Sequence, residues 1–325
     1  VCSGGNGTMA RAVTIGVLSR VRYIQPVPRA EYIDLCLREA EKAGRAGCDL
    51  FLLPEHFDSF GSLEMETTDG GIYDPATDRR VLYQSIAEEI PGPMTRRLGE
   101  VCRKYGMYIV ADYAEREGER VYNTAVILDR KGAVSGKYRK THLCGSEKRC
   151  YGVEAGDELP VFDLDFGRVG IAICMDMFFP EIFRVLTLKG AEIVLWPHQT
   201  YGPSEEMIFV TARARAIDYG CYLAGANFAS PDYFAPYERG HELTGRAMIV
   251  NPDGMVIADT GHYSGAAFAR IDLDVPRLGK DIAAVRREGV DQIREDLLHF
   301  RRPELYKEIV EPCDNAAVLD GRFLD

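Results

Sequence analysis

Several features that would narrow the function of this chain are missing from it. No apolar run approaches the roughly 20 residues that cross a bilayer, which argues against a membrane protein. Residues 1–10 are Gly-rich and polar and lack the apolar core of a signal peptide; they read as an N-terminal tail. Basic residues are in deficit, 39 Lys+Arg against 50 Asp+Glu, and a net charge of -11 excludes a general nucleic-acid surface. The six histidines show no metal-ligand clustering, so no metal is expected. Nine cysteines include no Cys-x-x-Cys pair, and their odd number and mostly apolar contexts suggest reduced thiols and a cytoplasmic location. Asp165-Phe166-Gly167 lacks the companion motifs of a kinase, and Ser135-Gly136-Lys137 lacks phosphate-loop spacing, so no nucleotide cofactor is implied.

What the chain does contain is alternation. Strands are expected over 12–18, 50–53 and 107–112, and helices over 29–46 and 86–105, the latter interrupted at Pro91-Gly92-Pro93. A hairpin is expected from 121–128 and 133–138 around Asp129-Arg130-Lys131-Gly132. Further strands fall at 169–173, 191–196, 221–227, 245–250, 255–259 and 266–272, with helices from Pro180 and over 203–219. Regular alternation of this kind means α/β layers, and 325 residues with 46% apolar content can bury one sizeable core.

Chemistry concentrates at Cys174. The apolar run Val169-Gly170-Ile171-Ala172-Ile173 reads as a buried strand, and Pro180-Glu181 opens a helix with proline and an acid where a first turn favours them. A cysteine between the two is presented by rigid elements, and nearby helix amides are expected to lower its pKa. A free cysteine is also a common core residue, so its neighbours in sequence matter. Leu53-Pro54-Glu55-His56 places a carboxylate just past a strand end, where α/β sheets line their clefts. Lys137-Tyr138-Arg139-Lys140-Thr141-His142 places three cations at the end of the hairpin. Alone, the first is an ordinary loop acid and the second a solvated basic edge.

Taken in order, Pro54-Glu55, Tyr138-Arg139-Lys140-Thr141-His142-Leu143 and Cys174 before Phe179-Pro180-Glu181 resemble the nitrilase or carbon–nitrogen hydrolase superfamily. Asn123-Thr124-Ala125, Leu223-Ala224-Gly225-Ala226-Asn227, Gly245-Arg246-Ala247-Met248 and Arg301-Arg302-Pro303-Glu304 agree with it, so the resemblance spans nearly the whole chain. It implies a four-layer α-β-β-α sandwich over 11–275 and a tail, 276–325, that packs on a partner subunit in a homodimer or larger homo-oligomer. It also implies Cys174 as nucleophile, Glu55 as base, Lys140 and the Met175 amide at the oxyanion, no metal and no cofactor. A second glutamate of many members falls on Glu147, with Glu154 as the substitute.

The substrate implied is a small-molecule amide or N-carbamoyl compound. True nitrilases usually carry Trp-Glu after the cysteine, where this chain has Met175-Asp176. Omega-amidase-like members carry an arginine where this chain has Phe178, which argues against a dicarboxylic monoamide. The segment after Lys140 looks more like N-carbamoyl hydrolases. Substrate contacts are expected from Asp176, Phe178, His198, Gln199, Thr200 and Tyr201. His56 either orients Glu55, touches substrate or is structural. Cys144 and Cys150 are loop positions, pocket lining or a redox liability. The segments 62–80 and 230–242 are candidate lids. A true nitrilase, a silent scaffold on the same fold and a redox thiol protein are the alternatives, the last disfavoured because no resolving cysteine lies near Cys174.

Overall fold

A computed structural model describes residues 11–21, 27–59, 79–200, 205–229, 245–274 and 301–310. The chain divides into two units, residues 1–278 and 279–325. In the second, the described elements are a 3-10 turn, Pro303–Leu305, and a short helix, Lys307–Val310.

The first unit opens with strand β1 (Ala12–Val21) and helix α1 (Arg29–Arg45). Tyr32, Ile33, Cys36, Ala40 and Ala43 make one buried stripe on α1. Gly47, at φ 79°, turns the chain into β2 (Leu50–Leu52). Helix α2 (Arg79–Ile86) and helix α3 (Pro93–Tyr105) follow. Pro93 begins α3 where a missing N–H costs nothing, Thr95 Oγ1 accepts the Gly92 N–H at 2.8 Å, and Gly106 ends the helix at φ 64°.

Strands β3 (Tyr108–Glu117), β4 (Arg120–Leu128) and β5 (Val134–Arg139) form an antiparallel meander. After it come β6 (Val161–Leu164) and β7 (Gly167–Ile171), then helix α4 (Pro180–Leu188). Strand β8 (Ile193–Pro197), helix α5 (Glu205–Tyr219) and β9 (Tyr222–Ala229) continue the α/β pattern. The unit closes with β10 (Met248–Val250), β11 (Val256–Asp259) and β12 (Gly265–Asp272).

The strands run β5-β4-β3-β2-β1-β9-β8-β7-β6 in one path, with β12 on β1 and β10 on β9. Only the last residues of β1, Ser19 to Val21, pair with β9, so the path bends there into two halves. Side-chain alternation shows how the halves stack. Val13, Ile15 and Val17 of β1, Leu50 and Leu52 of β2, and Ile193 and Leu195 of β8 share one central core. The opposite faces split. Phe51 packs with Tyr32, Cys36, Leu98 and Cys102 beneath α1 and α3, while Val194 and Trp196 pack with Phe183, Leu186 and Ala212 beneath α4 and α5. Three apolar layers between four structural ones make an α-β-β-α sandwich, as the family resemblance implies.

Differences from expectation are local. Strand β3 continues to Glu117 through the charged residues 115–117, because Arg139 donates to both oxygens of buried Glu115 from the neighbouring sheet edge, at 2.8 Å each. Strand β6, not foreseen, pairs with β7 as an edge hairpin. The aromatic loop 230–242 and most of 62–80 lie outside the described residues.

Candidate active site

Glu55 follows β2, Lys140 follows β5, Cys174 follows β7 and Gln199 follows β8, so four strand ends converge. Lys140 is 1% exposed, and its Nζ donates to Glu55 Oε1 at 2.9 Å and to Glu147 Oε2 at 2.8 Å. Asn123, within β4 and fully buried, donates Nδ2 to Glu55 Oε1 at 2.9 Å and to Glu147 Oε1 at 2.7 Å. The two carboxylates are thus bridged twice. Glu147 sits in a π-helical turn, Glu147–Tyr151, and its Oε2 also accepts the Cys144 N–H at 2.8 Å. Glu154 is half exposed and pairs with Arg120, outside the cluster.

Gln199 ties the cluster to the cysteine. Its N–H donates to Glu55 Oε2 at 3.1 Å, and its carbonyl accepts the Cys174 thiol at 3.6 Å. Cys174 opens a 3-10 turn, Cys174–Phe178, at φ 44°, a region that side-chain-bearing residues enter at a cost and that recurs at functional sites. Met175 is the second residue of that turn, where an amide has no intrahelical acceptor. Trp196 Nε1 donates to the Cys174 carbonyl at 3.1 Å and steadies the turn from below.

The electrostatics reverse one expectation. Burial around the sulfur, reinforced by the charge of Glu55, pushes the Cys174 thiol well above its ordinary pKa, although part of the residue reaches solvent. Lys140 opposes this and does not outweigh it. The surroundings of Cys174 therefore favour the thiol over the thiolate. Burial disfavours the Lys140 ammonium, but the surrounding Glu55, Cys174 and Glu147 charges overcome it, and its pKa is raised. Burial likewise disfavours the Glu147 carboxylate, and Lys140 and Asn123 outweigh it, so its pKa is lowered.

Glu55, His56 and Glu147 hold potential metal-ligand atoms within 4.8 Å of one another. The Lys140 ammonium already lies between the two carboxylates and supplies the positive charge a cation would bring there.

The other anticipated contacts are distributed as follows. Asp176 is fully buried. Its Oδ2 accepts the Tyr138 hydroxyl at 2.7 Å and the Ile173 N–H at 2.8 Å, and its Oδ1 accepts the His142 N–H at 3.1 Å. With both oxygens taken by the protein, Asp176 joins the turn that opens at Cys174 to the Lys140 segment and is not a free substrate contact. Phe178 is 40% exposed on the turn. His198 is fully buried, stacked on Trp196 with ring centroids 3.4 Å apart, and Thr200 Oγ1 lies 2.6 Å from its Nδ1. The Thr200 N–H donates to Asn227 Oδ1 at 3.2 Å. Tyr201 lies outside the described residues. Cys144 is half-buried and Cys150 exposed.

Sequence reading assigned no role to Asn123, Tyr138 or Asp112. For Asn123 and Asp112 the signal is a polar residue within an apolar stretch of strand, whereas Tyr138 sits in a polar strand and carries no such signal; all three prove to be buried.

The site of this layered α/β sandwich is thus a thiol, two carboxylates and an ammonium gathered at its strand ends. The chain belongs to the carbon–nitrogen hydrolase family, whose profile matches residues 20–280. It is 33% identical over 296 residues to a protein named nitrilase from Pyrococcus abyssi, covering 88% of this chain and 98% of that one. It is 31% identical over 299 residues to the human deaminated glutathione amidase, covering 85% and 79%. Among solved structures, an amidase from Nesterenkonia sp. superposes with a TM-score of 0.68 at 22% identity, covering 94% of this chain and all of that one. A double mutant of the same amidase in complex with acrylamide gives 0.69 at 22% identity, with 94% of this chain covered.

Proposed function

We propose that this chain hydrolyses the C–N bond of a small-molecule amide or N-carbamoyl compound through a thioester on Cys174. The observation that carries this reading is the buried Lys140 ammonium held between Glu55 and Glu147, with Gln199 joining Glu55 to the thiol. As sulfur attacks the carbonyl carbon, the thiol proton passes to Glu55. The oxyanion forms against the Lys140 ammonium and the Met175 N–H. The C–N bond then breaks, Glu55 returns its proton to the leaving nitrogen, and ammonia or an amine departs. Glu55 next takes a proton from water, hydroxide adds to the thioester, the C–S bond breaks, and the same proton restores the thiol.

Glu147 and Asn123 hold Lys140 and Glu55 in place in this scheme, and Asp176 holds the nucleophile turn. The raised thiol pKa supports a coupled base, because a pre-formed thiolate would not need one. Relatives named amidases support an amide substrate, and the relative named nitrilase supports a nitrile as the second reading. The reading includes a homodimer or larger assembly, supported by the exposed apolar side chains Met207, Val210 and Ile217 of α5.

The test is ammonia release from a panel of N-carbamoyl amino acids, carbamoyl amines, simple amides, dicarboxylic monoamides and nitriles, with Cys174→Ala alongside. Turnover on one group, lost in the variant and accompanied by an acyl adduct on wild-type Cys174 by intact mass, is expected. Turnover that survives Cys174→Ala would sink the proposal.

A further inference from the structure

Glu55 sits where a β ladder breaks. Strand β2 pairs in parallel with β3 from Leu50 to Leu52, and Leu53 extends the pairing by donating its N–H to the Val110 carbonyl at 2.9 Å. Pro54 has no N–H to continue it. The chain rejoins β3 only at Phe57, whose N–H donates to the Asp112 carbonyl at 3.1 Å. Glu55 and His56 span the gap, and His56 takes a φ of 47° to do so.

The Asp112 side chain fills this gap. Its Oδ1 accepts the His56 N–H at 2.8 Å, so one residue of β3 grips two successive amides after the base, one by its backbone and one by its carboxyl. From the other side, the Tyr83 hydroxyl of α2 lies 3.2 Å from His56 Nε2, with the rings edge to face. Asp112 is fully buried, and its Oδ2 has no hydrogen-bond partner among the described residues. A buried carboxyl kept there is costly unless it does something specific.

We propose that Asp112 is the positioning residue for the base: its carboxyl clamps the His56 amide, holds the left-handed turn, and so fixes Glu55 against Lys140 and the Cys174 thiol. This rests on the reading of Glu55 as the base. Burial, then the charge of Glu55, with Glu147 adding, raises the Asp112 pKa well above the carboxyl range, against the His56 N–H and Lys140, which lower it. A neutral acid in this position grips the turn without adding a further negative charge beside Glu55 and Glu147. An asparagine can do the same through its own Oδ1.

The experiment is the second-order rate of Cys174 alkylation by iodoacetamide, followed by intact mass and peptide mapping. The proteins compared are wild type, Glu55→Gln, Asp112→Ala, Asp112→Val and Asp112→Asn. Rates per folded molecule report deprotonation of the thiol and do not depend on the natural substrate. Asp112→Val keeps the site filled with a branched side chain that accepts no hydrogen bond, and keeps the comparison available if the alanine variant does not fold. Glu55→Gln is expected to be about 100-fold slower, because loss of the proton acceptor outweighs removal of a charge that disfavours the thiolate. Asp112→Ala and Asp112→Val should be slower by about tenfold or more through misplacement of the base, whereas Asp112→Asn should stay within about threefold of wild type by keeping the acceptor. A slow Glu55→Gln with Asp112→Ala and Asp112→Val at the wild-type rate overturns the positioning role and leaves the proposed function standing. Asp112→Asn as slow as Asp112→Val also overturns it. Glu55→Gln at the wild-type rate overturns the base itself, and the proposed function with it.

Discussion

Lys140 is the residue on which the rest of the site depends. It is one of the largest fully buried side chains, and its charge is matched by Glu55 and Glu147. A buried charge network is destabilised when one member is removed, because the remaining charges lose their compensation. Lys140→Met should therefore lower stability by about 3–5 kcal/mol at neutral pH, and activity by about 100- to 1,000-fold. Its pH dependence should run opposite to wild type. Without the ammonium, two carboxylates bridged by one Asn123 amide repel each other, protonation relieves that repulsion, and folding takes up protons. The variant thus gains stability as pH falls toward 5. In wild type, Glu147 has a lowered pKa, and its contribution is present above the unfolded value of 4.5 and lost as pH falls through the folded value. Melting temperatures of the two proteins between pH 8 and pH 4 check this. A deficit that does not shrink on acidification would contradict the charge account.

At the scale of elements, the site depends on how each strand stops. Strand β7 ends at Ile171, and the turn that follows is held by Asp176, whose carboxylate collects the Ile173 N–H and the Tyr138 hydroxyl from the hairpin bearing Lys140. Asp176→Ala leaves the buried Ile173 N–H without that acceptor and takes an acceptor from the Tyr138 hydroxyl and the His142 N–H, and should cost about 2 kcal/mol or more. It should also slow Cys174 alkylation, because the nucleophile turn loses its tether. Calorimetry and alkylation kinetics on the same preparation check both effects. Helix α3 meets the β4–β5 turn just as closely. A Cβ built on Gly99 would lie 2.4 Å from the Gly132 carbonyl oxygen, so Gly99→Ala should destabilise by about 1–3 kcal/mol. Since that contact is remote from Cys174, the variant's alkylation rate per folded molecule should be unchanged.

Legibility in the sequence followed the same divide between elements and their ends. Helix α1 was read almost residue for residue because its apolar period and its Ala46-Gly47 stop agree. Strand β6 was missed because residues 161–164 are an edge pairing with no clean alternation of buried and exposed positions. The tail of β3 was missed because Glu115 looks solvated until Arg139 and Lys137 of the neighbouring hairpin are placed against it.

At the scale of the molecule, the sandwich brings together segments that are far apart in the chain. Glu55 and Lys140 are 85 residues apart, and Glu55 and the Gln199 amide 144. Light scattering on a chromatographed sample should return at least about twice the 36.3 kDa chain mass if the proposed assembly forms. A monomer peak at working concentration would remove that part of the proposal.

By itself the sequence determined the α/β alternation, the family and the positions of Glu55, Lys140 and Cys174, because periodicity, turn residues and short ordered motifs are local signals. Only the tertiary structure decided the direction in which the thiol pKa moves, since the rise comes from burial and from Glu55, which is distant in sequence. It also decided between Glu147 and Glu154 for the place beside Lys140, and it turned Asp176 inward. Burial and the distance between charges are properties of packing, and the order of residues along the chain carries them only after it has folded.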